Sequence, residues 1–176
     1  MPSIHGSASP EVVSEPTDAA CTRPIATRTV RSTRFGQFEV PEDQLIHFPL
    51  AIPGFPEAKA FVLVEHRAGS MFRWLHAAEI PDLAFLVIDP VAFIPDYPVA
   101  QVRNAVAFCD LEEDEEIAVL AICSVPAMPE EPTANFVAPI GIGLRSRRGA
   151  QIILHACEFE IRTAFLRPRA TRTGGD

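Results

Sequence analysis

Short runs of apolar residues alternate along the chain with prolines and polar turns. The clearest runs cover residues 83–88 and 117–125, and their continuous apolar character predicts strands that are buried on both faces. Pro90, Pro95 and Pro98 follow the first run. Because proline fixes φ and donates no ladder hydrogen bond, the pattern predicts buried strands that end at rigid corners.

Other segments carry weaker strand signals. Residues 35–40 alternate in strand fashion, and a polar turn separates them from the apolar residues 45–48, so the two segments predict an opening hairpin. With these segments the pattern predicts about nine short strands. Further strands are predicted at 60–66, 71–77, 134–144 and 150–162.

The apolar spacing changes between residues 99 and 109. Val99, Val102, Val106 and Cys109 recur at intervals of three and four, which predicts one short amphipathic helix. The chain has 17 prolines against 9 glycines, a balance that argues against a helical bundle. The predicted class is therefore all-β (mainly β), with one short helix.

Composition places the predicted domain between two loose ends. Residues 1–33 are rich in Ser, Pro, Thr and Ala, so we expect a disordered N-terminal extension. Residues 34–166 form the predicted domain, and residues 167–176 a flexible C-terminal tail. The sequence contains no apolar run of membrane-spanning length and no secretory signal pattern, and its four cysteines lack CxxC spacing. We expect a cytoplasmic protein that does not bind membranes and has reduced thiols.

Negative charge is concentrated in the predicted domain. Residues 35–166 carry 8 Lys or Arg against 19 Asp or Glu. An acidic body repels phosphate backbones and attracts basic surfaces, so we expect no direct nucleic-acid binding and a basic protein partner. Solubility alone explains the charge equally well.

No catalytic motif is present in the sequence. Gly141 and Gly143 form only GxG, without the third glycine of a dinucleotide fingerprint, and no GxSxG or HExxH pattern occurs. A hydrolase would need His76 or His155 to meet an acid across the fold. We therefore expect no enzyme, no cofactor and no metal site.

Three features could bind a partner. The acidic run at residues 110–116 could dock a basic helix, or could be a solvated loop. A proline-fixed apolar corner near residues 93–97 could be an interface patch, or a packed corner. An arginine-rich turn at residues 145–148 could contact RNA or an acidic partner, or could serve only to prevent aggregation at a hairpin tip or to aid solubility. The candidate partner-binding residues are Phe93, Asp96, Tyr97, Asp110, Glu112, Glu113, Asp114, Glu115 and Glu116, and the RNA alternative uses Arg145, Arg147 and Arg148.

The order of these motifs resembles the bacterial flagellar assembly factor family FliW. The resemblance spans about residues 33–162 and rests on the order and spacing of several pieces. The chain departs from the family pattern at Ala51, at Phe159, over residues 99–116 and in its N-terminal extension. The matching pieces are FGQFEV (35–40), IHFPLAIPGF (46–55), FRWLH (72–76), PDLAFLVIDPVAFIPDY (81–97), IAVLAICSVP (117–126), TANFVAPIGI (133–142) and RRGAQIIL (147–154).

This resemblance implies a compact antiparallel β-barrel-like domain without enzymatic activity. Members of the family bind newly made flagellin in the cytoplasm and, in competition with it, bind the translational regulator CsrA. Export of flagellin frees the factor, which then antagonises CsrA and so couples flagellin synthesis to export. The implied partners are flagellin and CsrA; the alternative function is an RNA-binding β-barrel module that uses the arginine-rich turn.

Overall fold

Antiparallel strands dominate the computed structural model, which describes residues 26–112, 114–127, 130–155 and 158–165. One α-helix, α1 (Val99–Ala105), lies between the sixth and seventh strands, and short 3-10 turns cover Glu42–Gln44, Pro90–Ala92 and Ala107–Cys109. The strands are β1 (Thr27–Ser32), β2 (Gly36–Pro41), β3 (Ile46–His47), β4 (Ala60–Glu65), β5 (Phe72–Ala77), β6 (Ala84–Ile88), β7 (Ile117–Ser124), β8 (Thr133–Ala134), β9 (Ile140–Gly143), β10 (Gly149–Gln151) and β11 (Thr163–Ala164).

The opening hairpin lies one strand earlier than the sequence predicted. β1 pairs with β2, with Val30 opposite Phe38, whereas the predicted pairing of residues 35–40 with 45–48 is wrong. The prediction of disorder over residues 1–33 is also wrong for the residues of β1. Most of β1 is polar and Val30 is its only buried apolar residue, so the segment carried little hydrophobic signal. Residues 1–25 and the C-terminal tail lie outside the described residues.

The longest sheet has the strand order β10-β9-β7-β6-β5-β4-β3, with every neighbouring pair antiparallel. Its two ends approach each other where the His47 N–H donates to the Arg147 carbonyl at 2.7 Å. A single bridge, His47 with Arg148, joins them. The predicted all-β, barrel-like fold with one short helix is confirmed.

β7 connects the two halves of this sheet. It pairs with β9 through its first four residues, with β6 through Ala121 and Ile122, and with β8 through its last two. The strand predicted over residues 134–144 is interrupted, because only β8 and β9 pair with β7 in this region. β10 also ends earlier than predicted, although the Ile152 and Leu154 N–H groups still donate to carbonyls of the adjoining chain.

Three apolar clusters cover the two faces of the sheet. Phe61 and Leu63 of β4 face one cluster, and Val62 and Val64 of the same strand face another beneath the β1–β2 hairpin. Burial on both faces explains why β4 is apolar at almost every position. The third cluster holds the buried face of α1 together with Tyr97, Phe136 and Phe165.

Helix α1 packs directly on the backbone of β9. Val102, Val106 and Cys109 are fully buried, as their spacing predicted. A Cβ atom at Gly141 would lie 2.8 Å from Val106 Cγ1 and 3.0 Å from Val102 Cγ1. Gly141 therefore allows the close helix–strand approach, and it brings the acidic run that follows α1 toward the end of β9.

Candidate partner-binding surface

The acidic run and the arginine-rich turn, which the sequence suggested as separate surfaces, contact each other. Arg145 Nε lies 3.3 Å from Glu112 Oε2, and Arg148 Nη2 lies 3.4 Å from Asp110 Oδ2. These side chains are partly exposed, so each pair alone contributes little to stability. Their position nevertheless shows that much of the charge on both segments is paired within the molecule.

Glu115 holds the two segments together. Its side chain is buried; Oε1 accepts from the Arg145 and Ser146 N–H groups, each at 2.6 Å, and Oε2 accepts from the Glu112 N–H at 2.8 Å. We call this arrangement of Glu115 and three backbone donors the Glu115 clasp. Glu115 is therefore a structural residue, and the prediction that its side chain faces a partner is corrected.

The clasp favours the ionised carboxylate. Burial by itself raises the pKa of Glu115, but hydrogen bonds from the backbone of Ser146, Glu112 and Arg145 outweigh burial, so the pKa lies below its ordinary value. A carboxylate that accepts several backbone N–H bonds is stabilised in its charged form. The carboxylate of Glu115 therefore stays charged, and hydrogen bonds within the fold satisfy it.

Gly143 leaves room for the clasp. A Cβ atom at this position would lie 2.6 Å from Glu115 Oε1 and would also clash with Ser146 Oγ. The GxG pattern of β9 thus has a structural cause at both glycines: the first admits the helix and the second admits the carboxylate.

The arginines of the turn are largely engaged by the backbone. Arg148 Nε donates to the Cys109 carbonyl at 2.6 Å, and Arg147 Nη2 donates to the Gln44 carbonyl at 2.9 Å. Arg145 makes the ion pair with Glu112. Because nucleic-acid binding draws on free cationic groups, this engagement weighs against the RNA alternative.

The remaining acidic candidates differ in accessibility. Asp114 and Glu116 are exposed, as is Asp96 near the apolar corner. Asp110 and Glu112 are also exposed but each pairs with an arginine. Glu113 lies outside the described residues. The accessible part of the predicted acidic surface therefore centres on Asp114 and Glu116, and its contact with a partner stays a prediction.

The apolar corner is tightly packed around Tyr97. Tyr97 is buried, its hydroxyl donates to the Phe136 carbonyl at 2.7 Å, and its ring stacks on Phe159 at a centroid distance of 5.6 Å. The Tyr97 side chain is therefore not available to a partner in this structure, which corrects its assignment as a contact residue. Phe93 is half-buried and packs edge-on against Phe165 at 5.2 Å.

Beside Phe93 a small groove opens on the surface. Its volume is about 140 Å³, and Leu120 lies in its lining. Met71 at its rim is 55% exposed, and Val91, next to the lining residue Ala92, is 39% exposed. We call this feature the Met71 groove, defined by Met71, Arg73, Asp89, Ala92, Phe93 and Leu120.

Sequence reasoning found only Phe93 in this groove. Met71 lies immediately before β5, within the segment 71–77 that the sequence predicted as a strand. Nothing in its local pattern distinguishes an exposed methionine from a core methionine. Its exposure depends on the turn before β5 and on the 3-10 turn after β6, which only the fold brings together.

His76 is a fully buried titratable side chain away from the clasp. Its ring lies 6.2 Å from Phe35 and 6.4 Å from Phe38, between centroids. Burial lowers the pKa of His76, and backbone groups of Ala77 and Pro81 oppose the effect only in part. In the described part of the chain neither ring nitrogen bonds to a carboxylate, so His76 lacks the acid that the hydrolase alternative requires.

The described residues contain no group of three His, Cys, Asp or Glu side chains arranged to hold a metal ion. Nor do they include a helix with the length and apolar character needed to cross a membrane.

Comparison with known proteins identifies the family. A family model described as FliW protein matches residues 29–165. The chain belongs to the FliW family. The match begins inside β1, in agreement with the earlier start of the domain.

Individual FliW proteins match over most of their length. The flagellar assembly factor FliW of Desulfitobacterium hafniense strain Y51 is 38% identical over 145 residues, covering 82% of this chain and 95% of the relative. That of Natranaerobius thermophilus is 33% identical over 147 residues, covering 83% and 97%. A crystal structure of the flagellar assembly factor FliW superposes with a TM-score of 0.71 at 27% identity, covering 81% of this chain and 99% of the other.

Proposed function

We propose that this FliW protein is a non-enzymatic, cytoplasmic flagellar assembly factor that binds flagellin and antagonises the translational regulator CsrA. Export of flagellin leaves the factor free to antagonise CsrA. In this role the protein couples flagellin synthesis to export. Family membership supports the assembly role. The two partners and the coupling are the proposal.

The Met71 groove is the observation that favours a protein partner. It places a flexible methionine and part of an aromatic ring at the surface, beside a buried leucine. Methionine and aromatic residues are enriched at the cores of protein interfaces, and methionine adapts to differently shaped apolar partners. We assign the groove to an apolar segment of flagellin.

The acidic surface suits the second partner. Net charge is -8, and Asp114, Glu116 and Asp96 are exposed. Such a surface accelerates the approach of a basic regulator through long-range attraction, even where it adds little to final affinity. We therefore assign CsrA to the face that carries Asp114 and Glu116.

A capture experiment tests both partners. The full chain is used as bait in cytoplasm of the source organism, with and without RNase. Recovery of flagellin and CsrA regardless of RNase supports the proposal. Recovery of CsrA only when RNA is intact, or of neither protein, contradicts the proposal. Recovery that depends on RNA would favour the RNA-binding alternative at the arginine-rich turn.

A matched pair of variants tests the groove. Met71→Lys places a charge at the groove, and Leu50→Lys places the same charge at another apolar position, which is 61% exposed. We expect Met71→Lys to weaken flagellin binding about tenfold or more, the usual scale for a central interface residue, with Leu50→Lys near wild type. Equal affinities of the two variants would reject the groove as the flagellin site.

A competition titration tests the coupling. Saturating flagellin should lower the affinity for CsrA, and saturating CsrA should lower the affinity for flagellin by the same factor, because linkage between binding sites is reciprocal. If neither partner changes the affinity of the other, the protein cannot exchange one for the other as the proposal requires.

A further inference from the structure

Among the described residues, no strand pairs with the outer edge of the long sheet beyond β10. The ladder with the preceding chain continues past Gln151, since the Ile152 N–H donates to the Pro139 carbonyl at 2.9 Å and the Leu154 N–H donates to the Val137 carbonyl at 2.8 Å. In an antiparallel ladder the residues between such bonds turn their backbone groups to the other side. The backbone N–H and carbonyl of Ile153 therefore point away from the sheet.

Nothing in the described part of the chain covers this stretch. On the same edge, β3 meets the chain only at the bridge between His47 and Arg148, and Pro49 ends further pairing because proline has no N–H to donate. The Ile153 backbone has no hydrogen-bond partner among the described residues, and its side chain is 65% exposed.

The side chains of this edge do not discourage strand addition. Residues 149–154 read GAQIIL, without a charge or a proline. The side chains of Ala150, Ile152 and Leu154 are buried, so the register of this segment is fixed by the core. Natural proteins usually protect such an edge with lysine, proline, a bulge or a covering loop.

We infer that residues 151–154 form a docking edge for an extended strand of a partner protein, which adds to the sheet through backbone hydrogen bonds to Ile153. The occupant is an apolar strand flanked by basic residues. Charge complementarity supports this choice, because the chain carries a net charge of -8 and Glu158 and Glu160 are exposed a few residues beyond the edge. Two copies of this acidic chain repel each other, which disfavours self-pairing.

A synthetic probe tests the inference independently of flagellin or CsrA. The probe has about nine residues, a typical strand length, with alternating Thr and Val and a Lys at each end. Added to the full chain, it should slow hydrogen exchange of the Ile153 amide about tenfold, since that amide gains a hydrogen bond. A second probe with Glu in place of Lys should bind more weakly.

Two substitutions at one position separate backbone from side chain. Ile153→Pro removes the outward N–H without removing a ladder bond, so the fold should persist while probe affinity falls about tenfold, the scale of a lost hydrogen bond and its steric conflict. Ile153→Thr keeps the N–H and should change probe affinity by about threefold or less.

Three results would overturn the inference. One is an Ile153 amide whose exchange the probe does not alter. Another is equal probe binding by Ile153→Pro and Ile153→Thr when circular dichroism shows both folded. The third is a dimer in sedimentation analysis with a protected Ile153 amide before any probe is added, which would assign the edge to a second copy of the chain.

Discussion

The Glu115 clasp and the Met71 groove differ in where their characteristic groups point. At the clasp, a charged run and a charged turn face each other, and the central carboxylate is 1% exposed. At the groove, a methionine that is 55% exposed faces solvent. Glu115 and the arginine-rich turn, which the sequence offered as binding surfaces, thus stabilise the fold, whereas the accessible Met71 was not among the predicted binding residues.

This difference shows how a single buried acid organises a charged region. The backbone donors of the clasp come from segments about thirty residues apart in the chain, on either side of β7, β8 and β9. A buried carboxylate without partners is costly, but three N–H groups satisfy this one. Once it is in place, the surrounding ion pairs follow from proximity.

The largest expected effect is the loss of the clasp itself. Glu115→Ala leaves three backbone donors without their acceptor and should lower the free energy of unfolding by about 3 kcal/mol or more. Urea denaturation measures it, with Glu116→Ala as the control because that neighbour is exposed. Equal stability of the two variants would show that the clasp contributes nothing.

A smaller loss is expected at the glycine that admits the carboxylate. Gly143→Ala should destabilise the protein by about 2 kcal/mol, because the new methyl group displaces Glu115 or Ser146. Combined with Glu115→Gln in a double-mutant cycle, the two losses should be less than additive, since both disturb one clasp. Strictly additive losses would show that Gly143 and Glu115 act independently, which would contradict the inference that Gly143 makes room for the carboxylate.

Substitution of Tyr97 tests whether the apolar corner is packed core or a contact surface. Tyr97→Phe removes the buried hydrogen bond to the Phe136 carbonyl and should lower the free energy of unfolding by about 1 kcal/mol. Calorimetric titration with flagellin should show unchanged affinity. Weaker binding at unchanged stability would instead make the tyrosine a contact residue, as its sequence context suggested.

Two buried groups that titrate in the acid range make the free energy of unfolding depend on pH. Glu115 and His76 both have pKa values below their ordinary ones, 4.5 and 6.5. The unfolded chain therefore takes up protons first. The stabilisation from each group is present above its unfolded pKa and is lost as the pH falls through its lower folded pKa.

Denaturation at a series of pH values should consequently show two stages of loss. The first begins below about pH 6.5, where unfolded histidine is protonated, and the second begins below about pH 4.5. Glu115→Gln should remove its contribution to the second stage and leave the first. An unchanged acid limb in Glu115→Gln would show that other carboxylates determine it.

The smallest effect concerns the accessible acids. Asp114→Asn with Glu116→Gln should leave stability within about 0.5 kcal/mol, as is usual for exposed positions. Association with CsrA at low salt, measured by stopped flow, should slow about threefold, because the substitutions weaken long-range electrostatic attraction. The matched control is Glu42→Gln with Asp43→Asn, which removes equal charge from another exposed segment. Equal slowing by both pairs would assign the effect to net charge alone.

The sequence predicted the strands that bury apolar residues on a regular pattern. β4, β6, β7 and α1 were found because core contact imposes a period on their residues. β1 was missed because Val30 is its only buried apolar residue, so the strand carries little hydrophobic periodicity. The broken strand over residues 134–144 was missed because its interruption reflects how β7 exchanges partners.

The candidate site was less predictable for a related reason. Runs such as residues 110–116 show charge but not direction, and the burial of Glu115 depends on a turn distant in sequence. Burial of Tyr97 depends on Phe136 and Phe159, which are also distant in sequence. In each case a tertiary hydrogen bond or ring contact overrides the local pattern.

The most direct test of the account measures stability and flagellin affinity together for Met71→Lys and Glu115→Gln. Thermal unfolding and calorimetric titration of the full chain, titrated well below the melting temperature of either variant, provide the two readouts. We predict that Met71→Lys keeps the wild-type melting temperature but binds flagellin about tenfold or more weakly. Glu115→Gln should melt earlier yet bind with wild-type affinity. The reverse pattern, with binding lost at Glu115 and stability lost at Met71, would contradict the assignment of structure to the clasp and of recognition to the groove.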